Sequence, residues 1–137
     1  MPQSERINKA RSQLELAESQ LDEACSASWD PTDPADCVSK TFYALENAVV
    51  AAAIALDMPW QKNHMAKADL AKELFEKGKV SMNIRDRLID LNALRKDISY
   101  SVPGPMLANV DLEKLVTELE EYLTQVESLL HSVEEAG

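Results

Sequence analysis

The stretch IRDRLIDLNALRKDISYSVPGP, Ile84 to Pro105, decides how the chain is read. Its apolar positions Ile84, Leu88, Leu91, Ile98 and Val102 recur in alternating steps of four and three, the spacing of one helix face. Continued, that rhythm reaches Arg95 between Leu91 and Ile98, so an arginine stands where a leucine is expected. Burying a guanidinium is costly unless an anion meets it or the seam is wet at that point. Two readings stay open: a structural ion pair that holds the register of a helical bundle, or a functional arginine in a cleft or at a dimer interface.

The same rhythm runs outward in both directions. Upstream, the segment from about Gln61 to Lys77 predicts a helix with Met65, Ala68, Leu74 and Phe75 inward and Gly78 as its stop. His64 falls in its first turn with no second His, Cys or acid at metal spacing, which reads as a partly exposed cap or packing residue. Before the Met58-Pro59-Trp60 break, Pro34 to about Asp57 predicts the most buried helix, capped by Asp33. There Val38, Phe42, Leu45, Val49, Ala52 and Leu56 keep the rhythm and alanines fill the flanks. Glu46 and Asn47 are its only strongly polar residues between Phe42 and Leu56. Either they lie on a narrow wet face, or Glu46 is the anion that meets Arg95. A first helix starts at Ser4, with Ile7, Leu14 and Leu21 alternating with Ala10, Ala17 and Ala24, small residues that let a neighbour come close. Downstream, Asp111 caps a last helix, with Val110 and Leu115 at the positions of a hydrophobic staple. Its stripe of Leu112, Leu115, Leu119, Tyr122, Val126, Leu129 and Val133 is widened by Val116, Leu123 and Leu130. That stripe is broad enough to cover a core and offer surface to a partner helix.

A chain of 137 residues with 3 glycines, few aromatics and this periodicity predicts one all-α domain over 1–137, an up-and-down bundle of about five helices. No apolar segment follows Met1, and the longest apolar run, Ala48 to Leu56, is too short to span a bilayer. The expected setting is therefore the cytoplasm, without membrane association. Cys25 and Cys37 lack metal spacing and read as buried or idle thiols. A net charge of −10 argues against a broad nucleic-acid surface. The charge is uneven: residues 111–137 set eight acids against Lys114, whereas 62–97 set nine bases against six acids. A locally basic middle permits one small anionic site. There is no phosphate-cradling glycine loop, no H-E-x-x-H, no C-x-x-C and no nucleophile elbow, so neither metal nor cofactor is expected.

Three stretches carry a resemblance. TFYALENAVVAAAIAL, NHMAKADLAKELFEKG and LIDLNALRKDISY, in that order, resemble successive helices of the HEPN family of small helical proteins, across residues 38–130. The resemblance implies a HEPN-like bundle that is a homodimer packed near the fourth helix. Many HEPN proteins are metal-independent ribonucleases whose signature is an Arg followed, after four to six residues, by a His, often with an upstream acid beside the Arg. Arg95 matches the Arg and Glu46 stands where the acid would. The His does not carry over: Tyr100, Ser101 and Val102 occupy its slots.

A phenol with a pKa of about 10 is a poor proton acceptor near neutral pH. The resemblance therefore implies a degenerate, non-catalytic member that binds a partner protein, or a nucleotide or RNA end, at Arg95. Glu46, Asn47, Lys96 and Asp97 are the accompanying binding candidates. Such members resemble components of toxin–antitoxin and phage-defence systems, where a nucleotidyltransferase is one partner. The enzyme alternative is an endoribonuclease in which Arg95 acts with Tyr100, or with Ser101, in place of the His. A third reading is a structural module assembling through its acidic last helix.

Overall fold

Five helices account for the described residues, and no strand is found among them: α1 (Gln3–Trp29), α2 (Pro34–Ala55), α3 (His64–Glu76), α4 (Arg85–Tyr100) and α5 (Leu112–Ala136). The computed structural model describes residues 3–29, 34–100 and 111–136, without the side chains of 3, 26–29, 34–35 and 97–100. The Asp33 cap, Ile98, Val102 and the staple residue Val110 lie outside what is described.

α2 is the centre of the bundle and touches all four other helices. Val38, Phe42, Leu45, Val49 and Val50 are almost wholly removed from water, as are its alanines at 44, 48, 51, 52, 53 and 55. Ala10, Ala17 and Ala24 of α1 are also fully buried, and small side chains on both surfaces let two helix axes approach closely. α1 and α2 run antiparallel: Arg6 Nε donates to the Ala55 carbonyl at one end, and Lys40 pairs with Glu23 at 2.8 Å toward the other. α5 lies antiparallel to α1, with Arg11 reaching Glu127 at 2.8 Å and also Glu134. α4 is tied to α5 by Arg87 and Glu118 at 2.7 Å, and to α3 by Arg85 and Asp69 at 2.9 Å. Exposed pairs of this kind contribute at most about 1 kcal/mol each; burial of the apolar seams holds the bundle.

The helix ends show why the segments stop where they do. α3 begins at His64, three residues later than its periodicity predicts. The Asn63 side chain accepts from the amides of Met65 and Ala66, which fixes the N-cap there. At its other end Gly78 takes φ +70°, and the amides of Gly78 and Lys79 close back on the carbonyls of Phe75 and Leu74. α2 ends in the same motif built on Asp57, a non-glycine residue at φ +58°. Asp111 caps α5 by accepting from the Lys114 amide at 3.0 Å.

Two inward assignments on α3 are corrected. Met65 and Phe75 are 49% and 41% exposed. The buried face of α3 is narrow and carries Ala68, Leu70, Ala71 and Leu74. Phe75 sits about 100° round from Leu74, and Met65 lies on the opposite side of the helix from it. The broad stripe of α5 is largely spent within its own chain: Leu115, Val116, Leu119, Tyr122, Leu123, Val126 and Leu130 are buried. Among the described side chains the large exposed apolar ones are Leu16, Trp60, Met65 and Phe75, and none of these lies on the described part of α4 or on α5.

Tyr122 is fully buried, which pushes its phenol well above the ordinary range, and its hydroxyl has no hydrogen-bond partner among the described residues. Cys25 and Cys37 are both thiols. Burial pushes both of them up, Cys25 with help from Glu120, so neither is a ready thiolate. Among the described residues no helix is long and apolar enough to cross a membrane.

Candidate functional site

Phe42 and Glu46 stand one turn apart on α2, and α3 and α4 close over that face. Glu46 is only 2% exposed. A carboxylate so placed needs donors, and the first turn of α3 supplies two at three-residue spacing. His64 Nδ1 lies 2.7 Å from Glu46 Oε2, and Lys67 Nζ lies 3.8 Å from Oε1. The Lys67 side chain is largely buried, whereas that of His64 is 41% exposed. A carboxylate only accepts, so the imidazole donates from Nδ1 and is held by that bond in one tautomer.

Phe42 carries the rest of the site. Its ring packs against the His64 ring at 5.3 Å between centroids, tilted by 58°. The Arg95 guanidinium carbon sits 5.3 Å from the Phe42 centroid and 5.5 Å from that of Tyr43. Arg95 Nη2 also donates to Asn92 Oδ1 at 2.8 Å, one turn earlier on α4. A planar, weakly hydrated guanidinium covers aromatic faces well, which is how an arginine occupies a slot in an apolar seam. An imidazole and a guanidinium thus share one aromatic neighbour, with a buried carboxylate behind the imidazole.

This arrangement corrects the pairing read from the sequence. Glu46 directs its two oxygens to His64 and Lys67 rather than to Arg95. His64 is the partly exposed packing residue the sequence suggests, its ring against Phe42, and it is in addition a hydrogen-bonded partner of a buried acid. Asn47 is not brought to the site: its amide donates to Gln20 Oε1 of α1 at 2.8 Å. Lys96 is exposed beside Arg95. The side chains of Asp97 and Tyr100 lie outside the described residues. His131 is far off on α5, paired with Glu135 at 3.0 Å on the surface. Sequence reasoning missed His64, Lys67, Asn92 and the aromatic pair Phe42 and Tyr43. One signal was present: a buried acid on α2 demands a cation, and His64 and Lys67 open the next helix.

Among the described residues no three His, Cys, Asp or Glu side chains are grouped to hold a metal ion. What the site presents is hydrogen-bond donors and positive charge from Arg95, and an oriented imidazole whose second nitrogen, Nε2, is not engaged by Glu46. Comparison of the chain with protein-family models, with curated proteins and with solved structures finds no match, so the family resemblance rests on the three quoted stretches alone.

Proposed function

We propose that the protein is a HEPN-like binding protein, degenerate in its nuclease chemistry, that takes the phosphate of a nucleotide or an RNA end beside Arg95. The observation that supports this is the Arg95 guanidinium lodged on Phe42 and Tyr43, with the His64 imidazole against the same Phe42 ring. Guanidinium groups match phosphate oxygens with paired N–H donors, and a neighbouring aromatic surface suits a nucleotide. The acidic remainder of the chain disfavours an extended nucleic-acid track, which restricts the ligand to a short, end-bound one. From the resemblance come the rest of the proposal: a homodimer, working with a nucleotidyltransferase or another partner protein in a toxin–antitoxin or phage-defence system.

The test is binding of a short 5′-phosphorylated oligoribonucleotide to the intact protein and to Arg95→Ala. Binding that the substitution weakens at least tenfold is the expected result. Equal binding by both proteins overturns the reading. Light scattering checks the dimer, which requires twice the 15.2 kDa of one chain.

A second reading is a metal-independent endoribonuclease, and one observation favours it. His64 is an imidazole oriented by a buried carboxylate, the usual arrangement of a general base, and it does not depend on the slot held by Tyr100. Incubation with structured and single-stranded RNA separates the readings. No cleavage is expected; cleavage by the parent that His64→Ala and Arg95→Ala both abolish establishes the enzyme.

A further inference from the structure

We infer that the outer stripe of α1 is the surface on which two copies of the chain meet, the two helices lying antiparallel with Leu16 on the two-fold axis. This rests on the homodimer reading and names a face for it other than α4.

The stripe consists of Glu5, Lys9, Ser12, Leu16, Ser19 and Glu23, in steps of four, three, four, three and four, and all six residues are exposed. The core-facing residues Ala10, Leu14, Ala17 and Ala24 follow the same rhythm on the other side of the helix. α1 thus has two stripes of seam spacing, one spent within its own chain and one turned to water. Leu16, at the middle of the outer stripe, is 48% exposed, and it lines a groove with Ile54 and the exposed ring of Trp60. The described part of α4 offers no comparable apolar side chain. A second copy laid over Leu16 removes this apolar surface from water, and a serine one turn to either side lets the two axes approach closely.

Charge selects both the partner and the direction. Laid parallel, two such stripes set Lys9 against Lys9 and Glu23 against Glu23. Laid antiparallel about Leu16, Lys9 of each copy, seven residues before the axis, faces Glu23 of the other, seven residues after it. Lys9 has no ion pair among the described residues. Glu23 engages Lys40 through Oε2 at 2.8 Å, which leaves its second oxygen to the lysine of the other copy. The whole helix repeats the pattern: residues 4–14 set three bases against Glu5, whereas 15–25 hold four acids and no base. That order is the reverse of what the helix dipole favours, so it does nothing for α1 alone, and an antiparallel second copy matches it.

The test is sedimentation equilibrium of the whole protein and its variants at 0.15 M salt. The intact chain is expected to be a dimer at 100 μM and Leu16→Asp a monomer, while Phe75→Asp on α3 leaves the dimer unchanged. Lys9→Glu replaces two attractive pairs by two repulsive ones and should weaken the dimer about tenfold or more; adding Glu23→Lys should restore it. Leu16→Cys, its sulfur on the axis, should cross-link to its own copy on treatment with a small aromatic disulfide, and Phe75→Cys should not. A dimer that survives Leu16→Asp overturns the inference and leaves the homodimer reading standing. A dimer lost with Leu16→Asp but indifferent to Lys9→Glu overturns the antiparallel register. An intact chain that stays monomeric at 100 μM removes the homodimer reading itself. Every substituted residue is exposed, and circular dichroism checks that each variant keeps its helices.

Discussion

Replacing His64 with alanine tests the electrostatic logic of the site most directly. Glu46 is 2% exposed, and without the imidazole the partner left to it among the described residues is Lys67, at 3.8 Å. Removing one partner of a buried pair typically costs about 3–5 kcal/mol, because the other charge is left uncompensated. Lys67 offsets part of that loss, while the lost ring contact with Phe42 adds at most about 1.5 kcal/mol. His64→Ala is therefore expected to destabilise by about 2–4 kcal/mol, far more than truncation of a surface histidine. Glu46→Gln keeps an acceptor oxygen for Nδ1 and removes the buried charge, while the Lys67 stem is long enough to carry its ammonium toward water. A cost of about 1 kcal/mol follows. The double variant should then be no less stable than His64→Ala alone, a coupling of about 1–3 kcal/mol between the two sites. Equilibrium urea unfolding reads all four proteins, and with a slope of about 2 kcal/mol/M the His64→Ala midpoint falls by about 1–2 M. A loss under about 0.5 kcal/mol for His64→Ala, or strict additivity in the double variant, refutes the buried-acid argument.

Three further outcomes are expected. Tyr122→Phe removes a buried hydroxyl that has no partner among the described residues, so it should be neutral or stabilising at pH 7, by up to about 1 kcal/mol. Because burial raises the folded-state pKa of Tyr122, the unfolded chain ionises first. The parent's stability, complete below about pH 10, is lost by about 1.4 kcal/mol per pH unit as the pH climbs from there toward the raised folded value. Urea unfolding at pH 8, 10 and 11 should show a shallower alkaline decline for Tyr122→Phe than for the parent. Gly78→Ala meets no atom within 4 Å of the new methyl group, so its cost is the backbone's alone, about 1–2 kcal/mol for a residue at φ +70°, read as a lower thermal midpoint. Asn63→Ala removes the acceptor of two amide bonds and should cost about 1 kcal/mol by the same thermal scan.

Periodicity alone was enough for the helical class and for the identity of the central helix. A face that repeats every three and four residues has one way to leave water, and α2, apolar nearly all round, has to sit among the others. The stops at Gly78 and the Asp111 cap were equally legible, because they depend on local backbone chemistry that a neighbour in space does not alter. The inward placement of Met65 and Phe75 failed because a short helix with a narrow buried face leaves its rotation to the surfaces it meets. The site was half legible. Arg95 and Glu46 stood out because each breaks an apolar rhythm, and a charge in a seam has to be met. Which charges meet depended on how α3 crosses α2, and no sequence spacing encodes that crossing. Tertiary packing put His64 and Lys67 against Glu46 and left Arg95 on the faces of Phe42 and Tyr43. The sequence named residues that could not stand alone, and only the folded chain chose their partners.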